Sequence, residues 1–286
     1  MNLKNSPLFA ESWNVAWREK PEGSILDDRV LPFRVIKNSK RYWAADPFVF
    51  SYNNKTYIFA ELYDYLRCRG VIGYCELSEK RTVKWTPVII EPHHLSFPYI
   101  YISGESVYIM PESNYANELC LYRAIAFPDR WKKIKVLRSD SQFADTVLLS
   151  DEYALTYNVA NSTAPELWLL DLDNGKDRKI NLPNVELRRP AGKVLKDSIR
   201  CAQNCTADYG KGLVFYRYQI HNGKYDEEEI MRLFPQDIKL SRRLFLDGMH
   251  TYNSTDKYEV IDIKTRRFNI INLLFRAIYK LRKKLR

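Results

Sequence analysis

Asp46-Pro47-Phe48-Val49-Phe50 and, about fifty residues further on, Phe97-Pro98-Tyr99-Ile100-Tyr101 decide how this chain is read. Each stretch carries a Pro and then alternates aromatic and β-branched residues, the composition that suits a pleated sheet. Each is followed, fifteen residues after its first residue, by a Glu: Glu61 in one, Glu112 in the other. That Glu closes a second apolar run, Thr56-Tyr57-Ile58-Phe59-Ala60-Glu61 or Ser106-Val107-Tyr108-Ile109-Met110-Pro111-Glu112. Short polar turns join the runs, Asn53-Asn54-Lys55 and Ser103-Gly104-Glu105. A weaker third copy starts at Asp145-Thr146-Val147-Leu148-Leu149 and ends at Tyr157-Asn158. A fourth runs from Arg189-Pro190-Ala191-Gly192 to Gln203-Asn204, and a degenerate fifth starts at His250-Thr251-Tyr252-Asn253. A period of roughly forty to fifty residues made of short strands, with no long helix, is the pattern of a β-propeller with one four-stranded blade per repeat. Five copies predict an all-β, five-bladed β-propeller.

The repeat also predicts a site. In a propeller the innermost strands line the central channel, so their first residues converge whatever their separation in sequence. This gathers Asp46, the His93-His94-Leu95-Ser96 approach to blade two, Asp145, Arg189 and His250. The ends of the neighbouring strands add Glu61, Glu112, Gln203 and Asn204. A carboxylate is too costly to bury unpaired. Any one of these acids reads equally well as a turn cap within its own blade. The set, recurring in register, reads as a polar ligand pocket.

Length and composition fit that picture. A chain of 286 residues suits one large all-β domain, and 45% apolar residues suffice for its core. Tyr is abundant, with 20 copies. Tyr and Trp suit sheet surfaces, and their apolar faces also stack on the C–H faces of sugars while a polar tip stays wet. The net charge of +10 is a property of the end of the chain: nine Lys/Arg and no acid lie between Lys264 and Arg286. The remainder is close to neutral, which argues against a nucleic-acid partner. Five cysteines without paired spacing predict neither a disulfide framework nor a zinc site, and no metal is expected. Met1-Asn2-Leu3-Lys4-Asn5-Ser6 has no apolar signal core, so the expected setting is cytoplasmic.

The chain divides into a lead-in over 1–12, the propeller over 13–263 and a basic tail over 264–286. Trp13-Asn14-Val15-Ala16-Trp17 alternates and is expected to be the outer strand that closes the ring, removing free sheet edges. Trp168-Leu169-Leu170-Asp171-Leu172-Asp173-Asn174-Gly175 reads as a strand and hairpin turn, and Tyr225-Asp226-Glu227-Glu228-Glu229 as a solvated loop. From 268 to 285, Ile271, Leu274, Phe275, Ile278, Leu281 and Leu285 recur at helical spacing, with Arg and Lys on the other face. That predicts a C-terminal basic amphipathic helix, too short and too charged to span a bilayer, meeting an anionic membrane surface as a peripheral contact. The rival reading packs this helix on the outside of a blade.

Several blocks carry a resemblance beyond periodicity. Asp46-Pro47-Phe48-Val49-Phe50, His94-Leu95-Ser96-Phe97-Pro98-Tyr99-Ile100, Met110-Pro111-Glu112-Ser113 and Leu121-Tyr122-Arg123-Ala124 come first in order. Phe127-Pro128-Asp129-Arg130-Trp131, Arg189-Pro190-Ala191-Gly192, Arg200-Cys201-Ala202-Gln203-Asn204, Tyr209-Gly210 and Asp247-Gly248-Met249-His250-Thr251-Tyr252-Asn253 follow. Together they resemble the propeller domain of the glucosamine inositolphosphorylceramide transferase family, over roughly residues 13–263. The resemblance implies that plant members join this domain to a separate glycosyltransferase domain without counterpart in this sequence. It also implies that stand-alone bacterial relatives serve surface-polysaccharide assembly. The architecture further resembles five-bladed arabinanases and β-xylosidases, which place an Asp base on blade one, a modulating Asp on blade three and a Glu acid on blade four. Asp46 and Asp145 match the first two. Blade four presents Arg189, Arg200, Gln203 and Asn204 in place of the acid. Inverting hydrolysis needs two carboxyl groups roughly 6.5–9.5 Å apart, one of them protonated. Arg instead suits a phosphate or carboxylate.

The resemblance thus implies a glycosyltransferase in glycolipid or surface-polysaccharide biosynthesis, with an activated sugar donor and a glycan or glycolipid acceptor as substrates and no further cofactor. Asp46, Asp145 and Glu112 are the catalytic candidates. Arg189 and Arg200 would hold the donor's phosphates; Glu61, His94, Gln203, Asn204 and His250 would meet sugar hydroxyls. The alternatives are a glycosidase whose acid is Glu61 or Glu112, and a non-catalytic glycan-binding module that assists a partner transferase.

Overall fold

The computed structural model of the chain describes residues 9–21, 25, 31–78, 83–206 and 208–268. Two strands, β1 (Phe9–Glu19) and β2 (Arg34–Val35), come first in the chain and join the last blade. Blade one is β3 (Tyr42–Tyr52), β4 (Lys55–Asp64), β5 (Arg69–Glu76) and β6 (Thr86–Ile89), paired antiparallel in that order from the channel outward. Blade two is β7 (Ser96–Ser103), β8 (Ser106–Glu112), β9 (Glu118–Ala126) and β10 (Arg130–Ser139). Blade three is β11 (Phe143–Leu148), β12 (Tyr153–Asn158), β13 (Glu166–Asp171) and β14 (Arg178–Ile180). Blade four has three regular strands, β15 (Ile199–Asn204), β16 (Gly212–His221) and β17 (Lys224–Leu233). Its inner strand is irregular: Ala191 N–H reaches Cys201 O at 3.0 Å and Leu195 N–H reaches Ile199 O at 2.7 Å. Blade five is β18 (Tyr252–Ser254), β19 (Tyr258–Phe268), then β1 and β2. The five-bladed propeller expected from the repeat is therefore the fold.

The ring closes through β1 and β19, paired from Phe9↔Phe268 to Glu19↔Tyr258. The closing strand is third in its blade, with β2 outside it, rather than the outermost strand. The pairing also reaches past the expected boundaries at both ends, into the lead-in and the tail. Lys264, counted among the tail's cations, is buried in β19, its ammonium 3.2 Å from Asp208 and 3.3 Å from Glu11. The tail, expected to be a basic amphipathic helix from 264 with its apolar pattern over 268–285, is strand β19 up to Phe268, and the rest lies outside the described residues. Among the described residues no helix is long and apolar enough to cross a membrane.

The repeated motif at the blade starts turns out to encode a β-bulge. Register is lost between Ala45 and Phe48, between Ser96 and Tyr99, and between Ala144 and Val147. Asp46, Phe97 and Asp145 sit in these bulges with φ of 50°, 44° and 50°. A bulge adds an unpaired residue and re-aims its side chain. Pro47 and Pro98 follow immediately, where the missing N–H breaks no ladder bond. Asp tolerates the left-handed region better than an aromatic residue does, so Phe97 is the strained member.

Apolar residues fill the spaces between neighbouring blades. Phe48 meets Phe97 edge-on at 4.9 Å across blades one and two, and Phe127 wedges among Phe50, Tyr52, Tyr57 and Phe59. One expectation fails here. The charge run at 225–229 is not a loop but part of β17, and its Tyr225 and Glu227 are turned inward.

Candidate functional site

Each inner strand starts at one end of the channel, here called the mouth. A cavity of about 510 Å³ opens there. Asp46 and Glu61 from blade one, His94 and Glu112 from blade two, Asp145 from blade three, Arg189 from blade four and His250 from blade five all line it. Up to 204 positions in sequence separate these residues. Below the mouth, the Lys193 ammonium reaches from blade four across to the Phe50 and Tyr99 rings of blades one and two, at 5.5 and 5.8 Å.

The acids are tied to the blade joints. Asp262 in β19 accepts the Asp46 N–H at 3.0 Å, the His250 N–H at 2.9 Å and the Thr251 N–H at 3.0 Å. Asp46 in turn accepts the Phe97 N–H at 3.2 Å and the Thr251 hydroxyl at 3.0 Å. Glu112 accepts the Asp145 N–H at 3.2 Å. A carboxylate of one blade thus takes up the N–H of the next blade's bulge, which fixes both the blade and the acid.

His250 lies between two carboxylates, Nε2 3.3 Å from Asp46 Oδ1 and Nδ1 2.6 Å from Asp262 Oδ2. Burial opposes its charge, but Asp262 and Asp46 outweigh it and raise its pKa. Burial pushes Asp46 up to about 6; the His250 charge pulls it down, and Asp145 and Asp262 add to the rise. Asp46, His250 and Asp262 each offer an atom within 4.8 Å of the others and could hold a metal ion. Their oxygens, however, already accept the N–H and O–H groups named above, which fits a joint between blades one and five better than a set of waiting ligands.

Glu61 is held differently. Burial, then Asp46 and Glu112, raise its pKa well above the ordinary carboxylate value. His94 Nδ1 accepts the Gly70 N–H at 3.0 Å, which leaves the ring proton on Nε2. Burial pushes His94 down to about 4. Its Nε2 stands 3.4 Å from Glu61 Oε1 but is poorly aimed, and Oε1 has no hydrogen-bond partner among the described residues. Asn114 Oδ1, also lining the cavity, is equally unsatisfied. Gly70 makes room for this arrangement: a Cβ there would lie 2.5 Å from Glu61 Oε1 and 2.4 Å from Leu95 O.

The expected donor-phosphate pair separates. Arg189 does reach the cavity, but it donates to Asp145 Oδ2 at 2.5 Å and to Glu112 Oε2 at 3.4 Å. Arg200 does not reach it. Its fully buried guanidinium lies inside blade four, donating to Glu227 at 2.6 and 2.8 Å, to Tyr225 at 2.7 Å and from its third nitrogen to the Arg188 carbonyl at 3.1 Å. Gln203 stands behind the lining and donates to Asp145 Oδ2 at 2.6 Å. Asn204 faces its own turn, accepting from Thr206. The cavity therefore carries more acid than base.

Sequence reasoning missed the walls and one acid. Trp43 stacks on Tyr63 at 4.9 Å on one side of the cavity; Trp13 stacks on His250 at 4.0 Å on the other, with Tyr209 beside it. Asp262 ends the apolar run Val260-Ile261-Asp262, the same cue that marked Glu61 and Glu112.

Comparisons with known proteins agree with this frame. The family model described as glucosamine inositolphosphorylceramide transferase 1, N-terminal, matches residues 31–166. A protein named glucosamine inositolphosphorylceramide transferase 1 from Arabidopsis thaliana is 27% identical over 277 residues, 89% of this chain and 35% of that protein. Its namesake from Oryza sativa subsp. japonica is 26% identical over 230 residues, 74% of this chain and 31% of that one. The chain thus spans about a third of the length of these curated relatives. Among solved structures, a GH43 β-xylosidase/α-arabinofuranosidase from a compost microbial metagenome superposes with a TM-score of 0.52 at 11% identity, covering 80% of this chain and 92% of that one. The catalytic domain of a GH62 α-L-arabinofuranosidase from Coprinopsis cinerea gives 0.50 at 8% identity, over 88% and 98%. At such identities the likeness is one of fold. The chain is a five-bladed propeller similar to the N-terminal region of glucosamine inositolphosphorylceramide transferase 1.

Proposed function

We propose that the mouth cavity binds a sugar and that the chain acts on carbohydrate, as a glycosyltransferase in glycolipid or surface-polysaccharide synthesis. One observation carries this reading: carboxyl groups from three blades meet in a cavity walled by Trp13, Trp43, Tyr63 and Tyr209. Aromatic faces and acidic acceptors are what sugar C–H faces and hydroxyls require. The names of the plant relatives support the transferase reading.

Asp46 is the base. As a carboxylate held by Thr251 and His250, it takes the proton of an acceptor hydroxyl as that oxygen bonds to the anomeric carbon. The old glycosidic bond breaks with its electron pair on the leaving oxygen. Burial and neighbouring acids raise both Glu61 and Glu112, so either can arrive protonated and donate to that oxygen. Arg189 balances Asp145 and Glu112 rather than holding a phosphate. Peripheral attachment at the cytoplasmic membrane face, through 268–286, belongs to the same proposal.

The unpartnered oxygen of Glu61 favours a second reading, a glycosidase that uses water as acceptor. One assay separates the two. Purified protein is offered nucleotide- and lipid-linked sugars with glycolipid acceptors, and aryl glycosides in parallel. Transfer that falls about a hundredfold or more in Asp46→Asn supports the first reading. Aryl glycoside hydrolysis lost in Glu61→Gln supports the second. Sugar binding by calorimetry without turnover of either kind overturns both in favour of a binding module.

A further inference from the structure

The connection from β17 to β18 contains a feature the sugar site does not use. It opens with a 3-10 turn, Pro235–Asp237, whose Asp237 carboxylate accepts the Phe234 N–H at 2.8 Å. Next it docks on Phe33, which donates to Lys239 O and accepts from the Ser241 N–H, both at 2.8 Å. Further on, Asp247 N–H donates to Lys264 O at 2.9 Å. Ile238, Leu240, Leu244 and Leu246 pack against the core shared by blades four and five. Between these anchors Phe245 is 85% exposed, although both its neighbours are tucked in. A fixed loop is holding a phenyl ring out into solvent.

The surroundings say what the ring is for. Lys239, Arg242 and Arg243 are exposed beside it, and with Lys211 they rim a shallow basin of about 550 Å³ floored by Phe234, Ile238 and Leu240. An exposed aromatic ringed by cations complements a surface that is apolar beneath and anionic on top. The loop returns to the mouth end at Asp247. Lys264, which it grips, pairs with Trp13, and Trp13 lines the sugar cavity. At this same end β19 ends at Phe268, and the sequence beyond holds six more Lys/Arg and no acid.

We infer that the mouth face docks on an anionic lipid bilayer, with Phe245 entering the interface and Arg242 and Arg243 meeting lipid phosphates, so that the sugar cavity opens toward the lipid surface. The partner is a bilayer rather than a protein, because the cations cluster around one protruding ring and continue into a basic stretch.

The test uses the full chain and vesicles of phosphatidylcholine with or without phosphatidylglycerol. Phe245→Trp should show fluorescence quenching by brominated lipids above that of the wild type, in the anionic vesicles only. Glu105→Trp, in the β7–β8 turn at the opposite end of the channel, should show none. Phe245→Ser should weaken co-sedimentation by roughly tenfold. Arg242→Gln and Arg243→Gln should each weaken it by about fivefold and lower its salt sensitivity. Because Phe245 is exposed, thermal melts of these variants should match the wild type. Absent quenching at position 245, equal quenching at 105, or unchanged sedimentation of Phe245→Ser would overturn the inference and leave any membrane contact to the residues beyond 268.

Discussion

Two buried ionic clusters in this propeller, which the consecutive residues Arg188 and Arg189 join in the chain, are built to opposite ends. In blade four, Arg200 and Arg188 share Glu227, with Tyr225 also donating to that carboxylate. Arg200 is fully buried, and both carboxylate oxygens of Glu227 accept from it. Burial alone would raise Glu227, but Arg200, Tyr225 and Arg188 prevail and hold it below its usual range. At the mouth, Asp46, Glu61, Glu112 and Asp145 share a cavity with one arginine, Arg189, and two histidines, His94 and His250. There burial and mutual repulsion raise Asp46, Glu61 and Glu112. Equal depth therefore does not mean equal purpose. A balanced cluster holds strands together, whereas an unbalanced one beside a cavity keeps carboxyl groups poised to exchange protons.

The largest expected effect tests the closed cluster. Arg200→Ala leaves Glu227 short of its main partner in a dry interior and should lower unfolding free energy by roughly 3–5 kcal/mol in urea titrations. Arg189→Met should cost about half that or less, because Glu112, already raised by burial, can take up a proton from the cavity. Equal losses would erase the distinction. Next in size is Gly70→Ala. Its Cβ would collide with Glu61 and the Leu95 carbonyl, so a cost of about 1–3 kcal/mol is expected, with sugar affinity falling more than stability. A stability loss with unchanged affinity would remove Glu61 from the site.

The two clusters should also respond to opposite ends of the pH scale. Asp46, raised from 3.8 to about 6, contributes stability that is complete below 3.8 and lost as pH climbs through about 6. Asp46→Asn should flatten that decline, on the order of 1–3 kcal/mol in melts across the window. Glu227, lowered from 4.5, contributes stability that is present above 4.5 and lost as pH falls through its lower folded value. Glu227→Gln should therefore remove an acid-side slope and leave the neutral-side one. The smallest effect concerns the aromatic wall: Trp43→Ala should weaken sugar binding by about tenfold in calorimetry, with little change in melting temperature.

The fold was legible because the bulge that starts blades one and two leaves a recurring mark, an acid or aromatic followed by Pro. The position of Arg189 was legible for the same reason. Arg200 was not, because strand alternation and a partner 27 residues away decide its direction. On its strand it shares a face with Ala202, packed toward Tyr216, while Gln203 turns to Asp145. Nothing local separates the two arginines. Glu227 was read as solvated because its neighbours Asp226 and Glu228 are charged, yet in β17 it alone of the three meets both arginines. Asp262 was hidden by a blade whose inner strand is only three residues long and lacks the Pro. The aromatic walls vanish among 20 tyrosines, since stacking on a sugar and packing on a sheet select the same side chains.

The pairing of β1 with β19 has a consequence during synthesis. Asp46 is made early, but the carboxylate that fixes its backbone, Asp262, and the imidazole beside it, His250, arrive near the end. A ribosome-bound or truncated chain could stack blades one to three and still leave Asp46 without either neighbour. Only a chain complete to β19, with its first strand captured, assembles the mouth. The ring thus acts as a length gauge, and an unfinished copy would lack the assembled mouth.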